Sequence, residues 1–353
     1  MTRIYRVDPV RPDPAAVEAA ARALRDGELV VFPTETVYGL AARADDPAAV
    51  ARLREAKGRE ADKPLSLHLP DAAALEARFG PLLPTAARLV RRRLPGPLTL
   101  VLPDRAGGGF TGVRVPDDPV AAAVLRDAGV PVVATSVNLS GEPPAVDGAA
   151  AAAAAAGLAS VVLDAGPCRI GKSSTVVRVD GERVDVLREG AVPVRNVLED
   201  ASRILLFVCT GNLCRSPLAA ALAERDLARR LRCVPGDLPS RGFAVLSAGT
   251  SADAGRPATP ETVESGRVRG LDLSRHRSRP LTPTLLDRAD IVFVMEGSQR
   301  RTILEFFPGA SEKVRLLDPA GRDVSDPFGQ GQEAYAGTAG AIEKAVAERI
   351  AAE

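Results

Sequence analysis

The chain has 353 residues, of which 46% are hydrophobic and 26% charged, and its formal net charge is +1. This length corresponds to about two domains, and the apolar share is too high for a disordered chain. The near-neutral charge provides no overall field that would attract nucleic acid or a membrane. The absence of tryptophan leaves few rings on which bases could stack.

No segment of the sequence indicates export or insertion into a membrane. The first ten residues lack the apolar core of a signal peptide, and the longest uncharged stretch, 148–163, is too short to span a bilayer. Four cysteines in a chain of this length make no disulfide framework, and Cys209 and Cys214 lie in one short loop. We therefore expect a protein of the reducing cytoplasm without a membrane partner.

Hydrophobic periodicity predicts alternating helices and strands along the first part of the chain. Helices are predicted at 15–26, 47–57 and 149–156. Strands are predicted at 28–33, 160–164, 175–179 and 184–187. Asp147 is the expected N-cap of the all-alanine segment 149–156. Residues 195–203 are polar with little strand pattern, and a new strand begins at Ile204, so we expect one domain over 1–200 and another over 201–353.

Short polar motifs follow the predicted strands of the first half. They combine hydroxyl groups with cations in the segments 33–40, 57–68, 135–141, 173–177 and 187–191, and in V-R-V-P around Arg114. Such groups can bind a polyphosphate together with a small polar substrate. The G-K-S-S at 171–174 lacks the upstream glycine of a Walker-type loop. The residues alone therefore indicate an anion or nucleotide binder.

The first half resembles the YrdC-type L-threonylcarbamoyladenylate synthases over residues 8–195. The motifs P-T-E-T-V-Y-G-L, K-x-R-x-x-x-K-P-L, P-G-P-L-T-L, V-R-V-P, S-x-N-x-S-G, S-T-V-V and L-R-E-G occur in family order. The resemblance implies a twisted α/β fold that condenses L-threonine, bicarbonate and ATP into threonylcarbamoyl-AMP, with Mg²⁺ expected alongside ATP. The product would serve threonylcarbamoyladenosine modification of tRNA, with tRNA or its modification proteins as partners.

The same resemblance assigns roles to residues of the first half by motif position. Threonine and its carbamate would be bound by Thr36, His68, Arg114, Ser136 and Ser174. ATP would be bound by Arg59, Lys63, Asn138 and Arg188. One departure from the family pattern is Val137, where alanine is usual in the centre of S-x-N.

The second half begins with the most specific motif of the sequence. The apolar run from Ile204 leads directly into C-T-G-N-L-C-R-S-P at 209–217, and a helical pattern follows at once. A strand–loop–helix junction directs backbone N–H groups and the positive helix end at one point, which suits an anion. Gly211 and Asn212 are residue types that accept the positive backbone angles of such a loop.

A cysteine and an arginine six residues apart in this loop indicate phosphoryl transfer. Arg215 can bind two phosphate oxygens, while Cys209, as a thiolate, can attack phosphorus to form a cysteinyl-phosphate. Ser216 can donate to the thiolate, and Asp326 in S-D-P-F-G is the candidate acid that protonates the leaving group.

The second half resembles the low-molecular-weight protein tyrosine phosphatases over 203–353. The loop motif, S-A-G-T at 247–250, D-L-S-x-H-x-S-R at 272–279 and D-P-F-G at 326–329 occur in family order. The resemblance implies a flavodoxin-like, doubly wound fold around a parallel four-stranded sheet. It implies Cys209 as nucleophile, Arg215 as phosphate clamp and Asp326 as general acid. The loop positions that would support them are Thr210, Gly211, Asn212, Leu213, Cys214 and Ser216.

The resemblance leaves the substrate of the second half open. Leu213 favours a tyrosine-type loop over an arginine phosphatase, whereas Phe328 stands where eukaryotic tyrosine-specific members have tyrosine. Cys233 falls too early to serve the relay of an arsenate reductase. Cys214 is either an inert loop residue or a partner that protects Cys209 as a disulfide, and His276 is either structural or a support of the loop.

Three hypotheses therefore follow for the whole chain. The first is a bifunctional enzyme that joins an adenylate-forming synthase to a phosphatase acting on a phosphoprotein. The second is a phosphatase addressed by a non-catalytic nucleotide- or RNA-binding module. The third makes the second half an inactive phosphate sensor, against which the presence of Cys209, Arg215 and Asp326 argues.

Overall fold

The computed structural model describes residues 2–58, 65–104, 108–138 and 142–352. The chain divides into two compact units, Met1–Val197 and Leu198–Glu353. Each unit has its own sheet.

The first unit alternates short strands and helices. Its strands are β1 (Arg3–Arg6), β2 (Val30–Phe32), β3 (Gly39–Arg43), β4 (Ser66–His68), β5 (Leu98–Pro103), β6 (Phe110–Arg114), β7 (Val132–Ser136), β8 (Val161–Asp164), β9 (Thr175–Asp180) and β10 (Arg183–Arg188). Its helices are α1 (Pro14–Arg25), α2 (Pro47–Ala56), α3 (Ala72–Phe79), α4 (Pro84–Arg93), α5 (Pro119–Ala128), α6 (Gly148–Ala154) and α7 (Val194–Ala201), the last of which crosses the boundary between the units.

These ten strands form one mixed sheet in the order β1-β8-β2-β3-β7-β4-β6-β5-β9-β10. On one face, apolar residues of α1 and α5 pack on β2, β3, β7 and β8. Residues of α2 and α6 cover β2 and β3 from the other face. Aspartates cap most of these helices; the Asp147 carboxylate, for example, accepts from the Ala150 N–H and begins α6. The α/β fold expected for this half is confirmed.

The second unit is built around four parallel strands. They are β11 (Arg203–Cys209), β12 (Phe243–Gly249), β13 (Ile291–Val294) and β14 (Val314–Leu316). The helices are α8 (Arg215–Leu231), α9 (Pro260–Arg267), α10 (Pro283–Arg288), α11 (Gly297–Phe306) and α12 (Gln332–Ala351).

The strand order β12-β11-β13-β14 places β11 inside the sheet, and its side chains alternate between two cores. Leu205, Phe207 and Cys209 pack with α8 and α12 on one face. Ile204, Leu206 and Val208 pack with α10 and α11 on the other. This confirms the flavodoxin-like, doubly wound fold. In such a fold, ligands bind beyond the carboxyl ends of the parallel strands, which is where β11 delivers Cys209.

The structure adds one element that the sequence left unassigned. Residues 195–203 lack strand pattern because most of them form the helix α7, whose single apolar stripe includes the buried Val197 and Ala201. The other predicted helices and strands are present, with ends that differ by one or two residues. Within the described part of the chain, none of the helices is both long and apolar enough to cross a bilayer.

Candidate functional sites

The first unit contains a cavity of about 290 Å³ on one face of its sheet, walled by β3 to β7, β9 and β10. Five residues predicted to bind substrate line it, and they come from five different strands or the segments beside them. They are His68, Arg114, Ser136, Ser174 and Arg188. The sheet therefore brings together side chains that are up to 120 positions apart in the sequence.

Arg114 is a buried cation on the wall of this cavity. Its side chain is 7% exposed, and Nη2 donates to Glu35 Oε1 at 2.9 Å and to Thr36 Oγ1 at 2.5 Å. Its Nε and the second carboxylate oxygen of Glu35 are both buried without a hydrogen-bond partner among the described residues. Nη2 is thus held by protein groups, and Arg114 lines the cavity, where a guanidinium suits an anionic ligand.

Thr36 lies behind Arg114 and is not part of the cavity wall. It is fully buried, and its hydroxyl joins Thr34 Oγ1 at 2.8 Å as well as the Arg114 guanidinium. Thr36 therefore contacts Arg114 directly, and its expected place on the threonine side of the site stays a prediction.

His68 presents a neutral ring to the cavity. Its Nδ1 lies 3.0 Å from the backbone oxygen of Ser66, which can only accept, so Nδ1 carries the hydrogen and Nε2 is an acceptor. Burial, followed by the charge of Arg114, lowers the pKa of His68 to about 3. The ring can accept a hydrogen bond from an ammonium or hydroxyl group of a ligand without becoming charged at neutral pH.

We expect His68 to remain neutral throughout the range from pH 8 to pH 5. The unfolded chain takes up this proton near pH 6.5, so the free energy of unfolding of the first unit falls as the pH drops from 6.5 toward 3, by a few kcal/mol in all. The chain has two histidines, so the NMR titration of their ring protons resolves both, and His276→Gln assigns them. A His68 signal with a midpoint near 6.5 would contradict the expectation.

Lys57 fixes the other side of the cavity. It is 5% exposed, and its ammonium group donates to the backbone oxygens of Ser136 and Asn138 and to Asn138 Oδ1 at 2.8 Å. Ser136 Oγ donates to the same Oδ1 at 2.6 Å, and Asn138 is not on the cavity wall. Two of the predicted ATP-binding residues, Arg59 and Lys63, lie outside the described residues.

The second unit holds its site in the loop between β11 and α8. Cys209 ends β11 with its Sγ 3.1 Å from Ser216 Oγ, and both side chains are buried. Asn212 has a φ of +52°, and its side-chain nitrogen donates to Ser216 Oγ at 2.8 Å and to Ser247 Oγ at 3.0 Å. Its Oδ1 accepts from the Arg279 N–H at 2.9 Å. Asn212 therefore fixes the loop and orients the hydroxyl next to the thiol.

Arg215 is 1% exposed and faces two carboxylates. Nη1 pairs with Glu296 and donates to the Val324 oxygen at 2.9 Å, and Nη2 contacts Asp326 Oδ2 at 2.5 Å. Its Nε is buried without a partner within the described residues. Burial raises the pKa of Glu296, but the hydrogen bonds from Arg215 and Ser298 outweigh this effect and lower it. The structure thus brings the predicted clamp and the predicted acid into contact.

The remaining loop residues point in different directions. Thr210 Oγ1 accepts from Gln299 Nε2 at 3.2 Å, and Leu213 is buried beside Tyr335. The Cys214 thiol lies 3.4 Å from the Tyr335 hydroxyl and 3.7 Å from Thr259 Oγ1. Burial raises the pKa of Cys214, which disfavours its thiolate.

Three further residues from the sequence interpretation lie in the second unit. His276 Nε2 lies 2.8 Å from the Asn212 oxygen, which favours the role of a loop support over that of an unrelated structural residue. Cys233 packs against the core at the end of α8. Phe328 is 59% exposed, two residues after Asp326.

Gly249, the glycine of S-A-G-T, packs directly against the loop. A Cβ at this position would overlap the Thr210 oxygen and lie 2.9 Å from the Asn212 nitrogen and 2.8 Å from Ala252 Cβ. We therefore expect Gly249→Ala to displace the loop and to lower phosphatase kcat/KM by about tenfold or more. Gly309→Ala is the matched control, because a Cβ there meets nothing within 4 Å. Equal activity of the two variants would contradict the prediction.

The sequence interpretation missed Glu35 as the partner of Arg114 and Glu296 as the partner of Arg215. The available signal for Glu296 was its position immediately after a buried parallel strand, at the same sheet edge as Cys209. Glu35 lies inside a recognised motif, but its sequence gives no sign of an ion pair 79 residues away. Among the described residues, no group of three or more His, Cys, Asp or Glu side chains could hold a metal ion.

Comparisons with known proteins match each unit separately. The model of the Sua5/YciO/YrdC family, described as telomere recombination, matches residues 22–190. That of the low molecular weight phosphotyrosine protein phosphatases matches residues 204–352. The chain is 36% identical over 191 residues to "Putative threonylcarbamoyl-AMP synthase" of Mycobacterium tuberculosis, covering 52% of this chain and 88% of that protein. It is 38% identical over 127 residues to "Probable low molecular weight protein-tyrosine-phosphatase EpsP" of Ralstonia nicotianae, covering 36% and 79%.

The chain belongs to both families. Its Sua5/YciO/YrdC part is also 41% identical over 189 residues to the threonylcarbamoyl-AMP synthase of Bacillus subtilis, which covers 51% of this chain and only 54% of that protein. The chain thus matches about half the length of that relative. A solved structure of a Sua5 variant from Pyrococcus abyssi is similar with a TM-score of 0.52 and 26% identity, covering 70% of this chain and 91% of that one. Both resemblances found in the sequence are confirmed as family membership.

Proposed function

We propose that the chain is a bifunctional enzyme, with a threonylcarbamoyl-AMP synthase over residues 1–200 and a phosphatase over residues 201–353. The observation that carries the proposal is that each unit contains a preformed anion site built from its own family motifs. Arg114 opens into the cavity of the first unit, and Arg215 lies beside Cys209 in the second.

The synthase reaction uses L-threonine, bicarbonate and ATP. The first cavity supplies partners for the threonine carboxylate, the carbamate and the phosphates. Arg114 binds the threonine carboxylate, and His68 accepts from its ammonium or hydroxyl group. Ser136 and Ser174 donate or accept at the carbamate. Arg188 neutralises charge on the phosphates as an oxygen attacks the α-phosphorus, and positioning supplies most of the rate. Mg²⁺ arrives with ATP as part of the substrate.

The phosphatase reaction follows from the loop of the second unit. The Cys209 thiolate attacks phosphorus, the ester bond breaks, and Asp326 protonates the departing oxygen or nitrogen. Water then attacks the cysteinyl-phosphate and gives a proton to Asp326, now a carboxylate. The S–P bond breaks, inorganic phosphate is released, and Ser216 stabilises the departing Cys209 thiolate. A phosphate that binds Nε and Nη2 of Arg215 displaces Asp326 from Nη2 and leaves Asp326, in its protonated form, next to the leaving group.

The phosphatase substrate is a phosphoprotein, and phosphotyrosine is favoured over phosphoarginine by Leu213 in the loop. The proposed setting is the cytoplasm, with tRNA or tRNA-modification proteins as partners of the first activity. A second candidate function, a phosphatase addressed by a non-catalytic nucleotide- or RNA-binding module, is weaker because five polar residues expected in the synthase pocket line one cavity.

The proposal is tested with the whole purified chain. Pyrophosphate release from ATP is followed with and without L-threonine and bicarbonate, and the nucleotide product is identified by mass. Threonylcarbamoyl-AMP that forms only when both are present is the expected result. ATP or RNA binding without an adenylate product would overturn the synthase and favour the addressing module. Phosphotyrosine and phosphoarginine peptides are compared in parallel as substrates of the phosphatase, by the rate of phosphate release.

A further inference from the structure

The two sides of the phosphatase site are formed by different loops of the second unit. Parallel strands place the loops that follow them at one edge of the sheet, and Cys209 ends the inner strand β11. On the β12 side lie the segments 250–257 and 272–280, the second of which pairs with the end of β12. On the β14 side lies the segment 317–331. A phosphorylated side chain that reaches Cys209 therefore enters between these two sides.

The β12 side is fixed against the phosphate-binding loop by backbone hydrogen bonds. The Ser251 N–H donates to the Thr210 oxygen at 3.0 Å, one residue beyond Cys209. The second segment is joined to the first, because the Ser278 N–H donates to the Arg256 oxygen at 2.8 Å. The side chains of both segments therefore extend from a wall that begins next to the thiol.

This wall carries three exposed arginines, Arg256, Arg275 and Arg277, which we call the arginine rim. Together the two segments hold four arginines and two aspartates. Asp253 Oδ2 lies 3.6 Å from Arg256 Nη1, and both side chains are more than half exposed, so water screens this pair. The rim thus presents a net positive charge to a ligand at the mouth of the site.

The opposite side of the site is acidic. The segment 317–331 holds three aspartates and one arginine, and that arginine, Arg322, pairs with Asp318 at 2.8 Å. Glu296 adds a further carboxylate two residues after β13. A carboxylate on a substrate is therefore attracted to the arginine rim and repelled from the other side.

We propose that the arginine rim binds acidic residues beside the phosphorylated residue, so that the second unit selects phosphopeptides with acidic flanks. The proposal rests on the proposed phosphatase function. Each ion pair between exposed groups changes affinity by about 1.5- to 5-fold, and salt weakens it. Several such pairs together give a clear preference for one peptide over another. A small aryl phosphate fills only the phosphate-binding loop and does not sense the rim.

The test measures kcat/KM of the full chain for an aryl phosphate and for three phosphotyrosine peptides, flanked by glutamates, glutamines or lysines. At low ionic strength the glutamate peptide is expected to exceed the glutamine peptide by about 3- to 10-fold, with the lysine peptide lowest. High salt should reduce this difference. Arg256→Gln combined with Arg275→Gln should abolish it and leave hydrolysis of the aryl phosphate unchanged. Asp253→Asn removes the acid beside Arg256 and should increase the difference.

Two exposed arginines at the opposite edge of the same sheet provide a matched control. Arg229 lies near the end of α8 and Arg241 precedes β12, so Arg229→Gln combined with Arg241→Gln makes the same change in charge away from the site. This variant should keep the preference for the glutamate peptide. Equal kcat/KM for the three peptides, whether high or undetectable, overturns the rim alone, as does a preference that survives in the Arg256 and Arg275 double variant. Absence of phosphate release from the aryl phosphate and from all peptides by the unsubstituted chain overturns the proposed phosphatase and the rim with it.

Discussion

Replacement of Cys209 by serine is expected to lower phosphatase kcat/KM by at least about a thousandfold, because a serine hydroxyl is not ionised at neutral pH and cannot replace the thiolate nucleophile. The exchange is nearly isosteric, and the new hydroxyl can keep the contact that Cys209 makes with Ser216 Oγ at 3.1 Å. The loop should therefore remain intact. The loss is measured as the initial rate of release of phosphate from an aryl phosphate monoester and from a phosphotyrosine peptide.

The chain offers two controls for this variant. Cys233→Ser changes a half-buried cysteine of the same unit that packs away from the loop, and it should retain phosphatase activity. Pyrophosphate release by the first unit should be equal in Cys209→Ser and in the unsubstituted chain. Phosphatase activity that persists in Cys209→Ser would refute cysteinyl-phosphate chemistry, and a parallel loss of both activities would refute two separate sites.

Local motifs explain why much of the second site could be predicted from the sequence. Cys209 and Arg215 lie six residues apart across one strand–loop–helix junction, so their proximity follows from local geometry. Asn212 at φ +52° likewise fits a residue type that tolerates this conformation. Asp326 is proposed from the chemistry that a leaving group requires and from the D-P-F-G motif of the phosphatase resemblance. The contact between Asp326 and Arg215 spans 111 residues and emerges only from the fold.

The sequence could not predict which residues form ion pairs with the buried arginines. Glu296 and Glu35 are each paired with an arginine that is distant in the sequence, and a carboxylate alone gives no indication of its partner. Thr36 was expected to contact threonine because it stands in a recognised motif. In the structure its hydroxyl contacts the Arg114 guanidinium. Motif membership thus indicates which segments come together, while the direction of each side chain depends on long-range packing.

The same limit applies to the secondary structure. Strong apolar runs such as that of β11 are recognised because their side chains are buried on both faces of a parallel sheet. Segment 195–203 was not recognised as a helix because only a narrow stripe of α7 is buried and the rest is polar. Short strands such as β4, with three residues, form because they pair with β6 and β7, and their sequences show too little hydrophobic alternation to predict a strand.

Replacement of Arg114 by lysine is expected to raise the KM for L-threonine by about 100-fold, because charge-assisted hydrogen bonds from a planar guanidinium are each worth about 1.5–3 kcal/mol. A lysine ammonium group cannot donate to Glu35 and Thr36 and still present an edge to a ligand carboxylate. The measurement is the rate of threonylcarbamoyl-AMP formation as a function of threonine concentration, with ATP and bicarbonate at saturation.

Arg114→Met removes the cation, so it also destabilises the unit, because Glu35 keeps a buried charge and breaking such a pair costs about 3–5 kcal/mol. Arg114→Met combined with Glu35→Gln removes both charges, so this double variant should be thermally more stable than Arg114→Met and should still bind threonine weakly. Arg43→Lys is the control, because Arg43 pairs with Asp45 at the protein surface and lies outside the cavity. A normal KM for threonine in a folded Arg114→Lys variant would show that the threonine carboxylate binds elsewhere, and would exclude the guanidinium as its anchor.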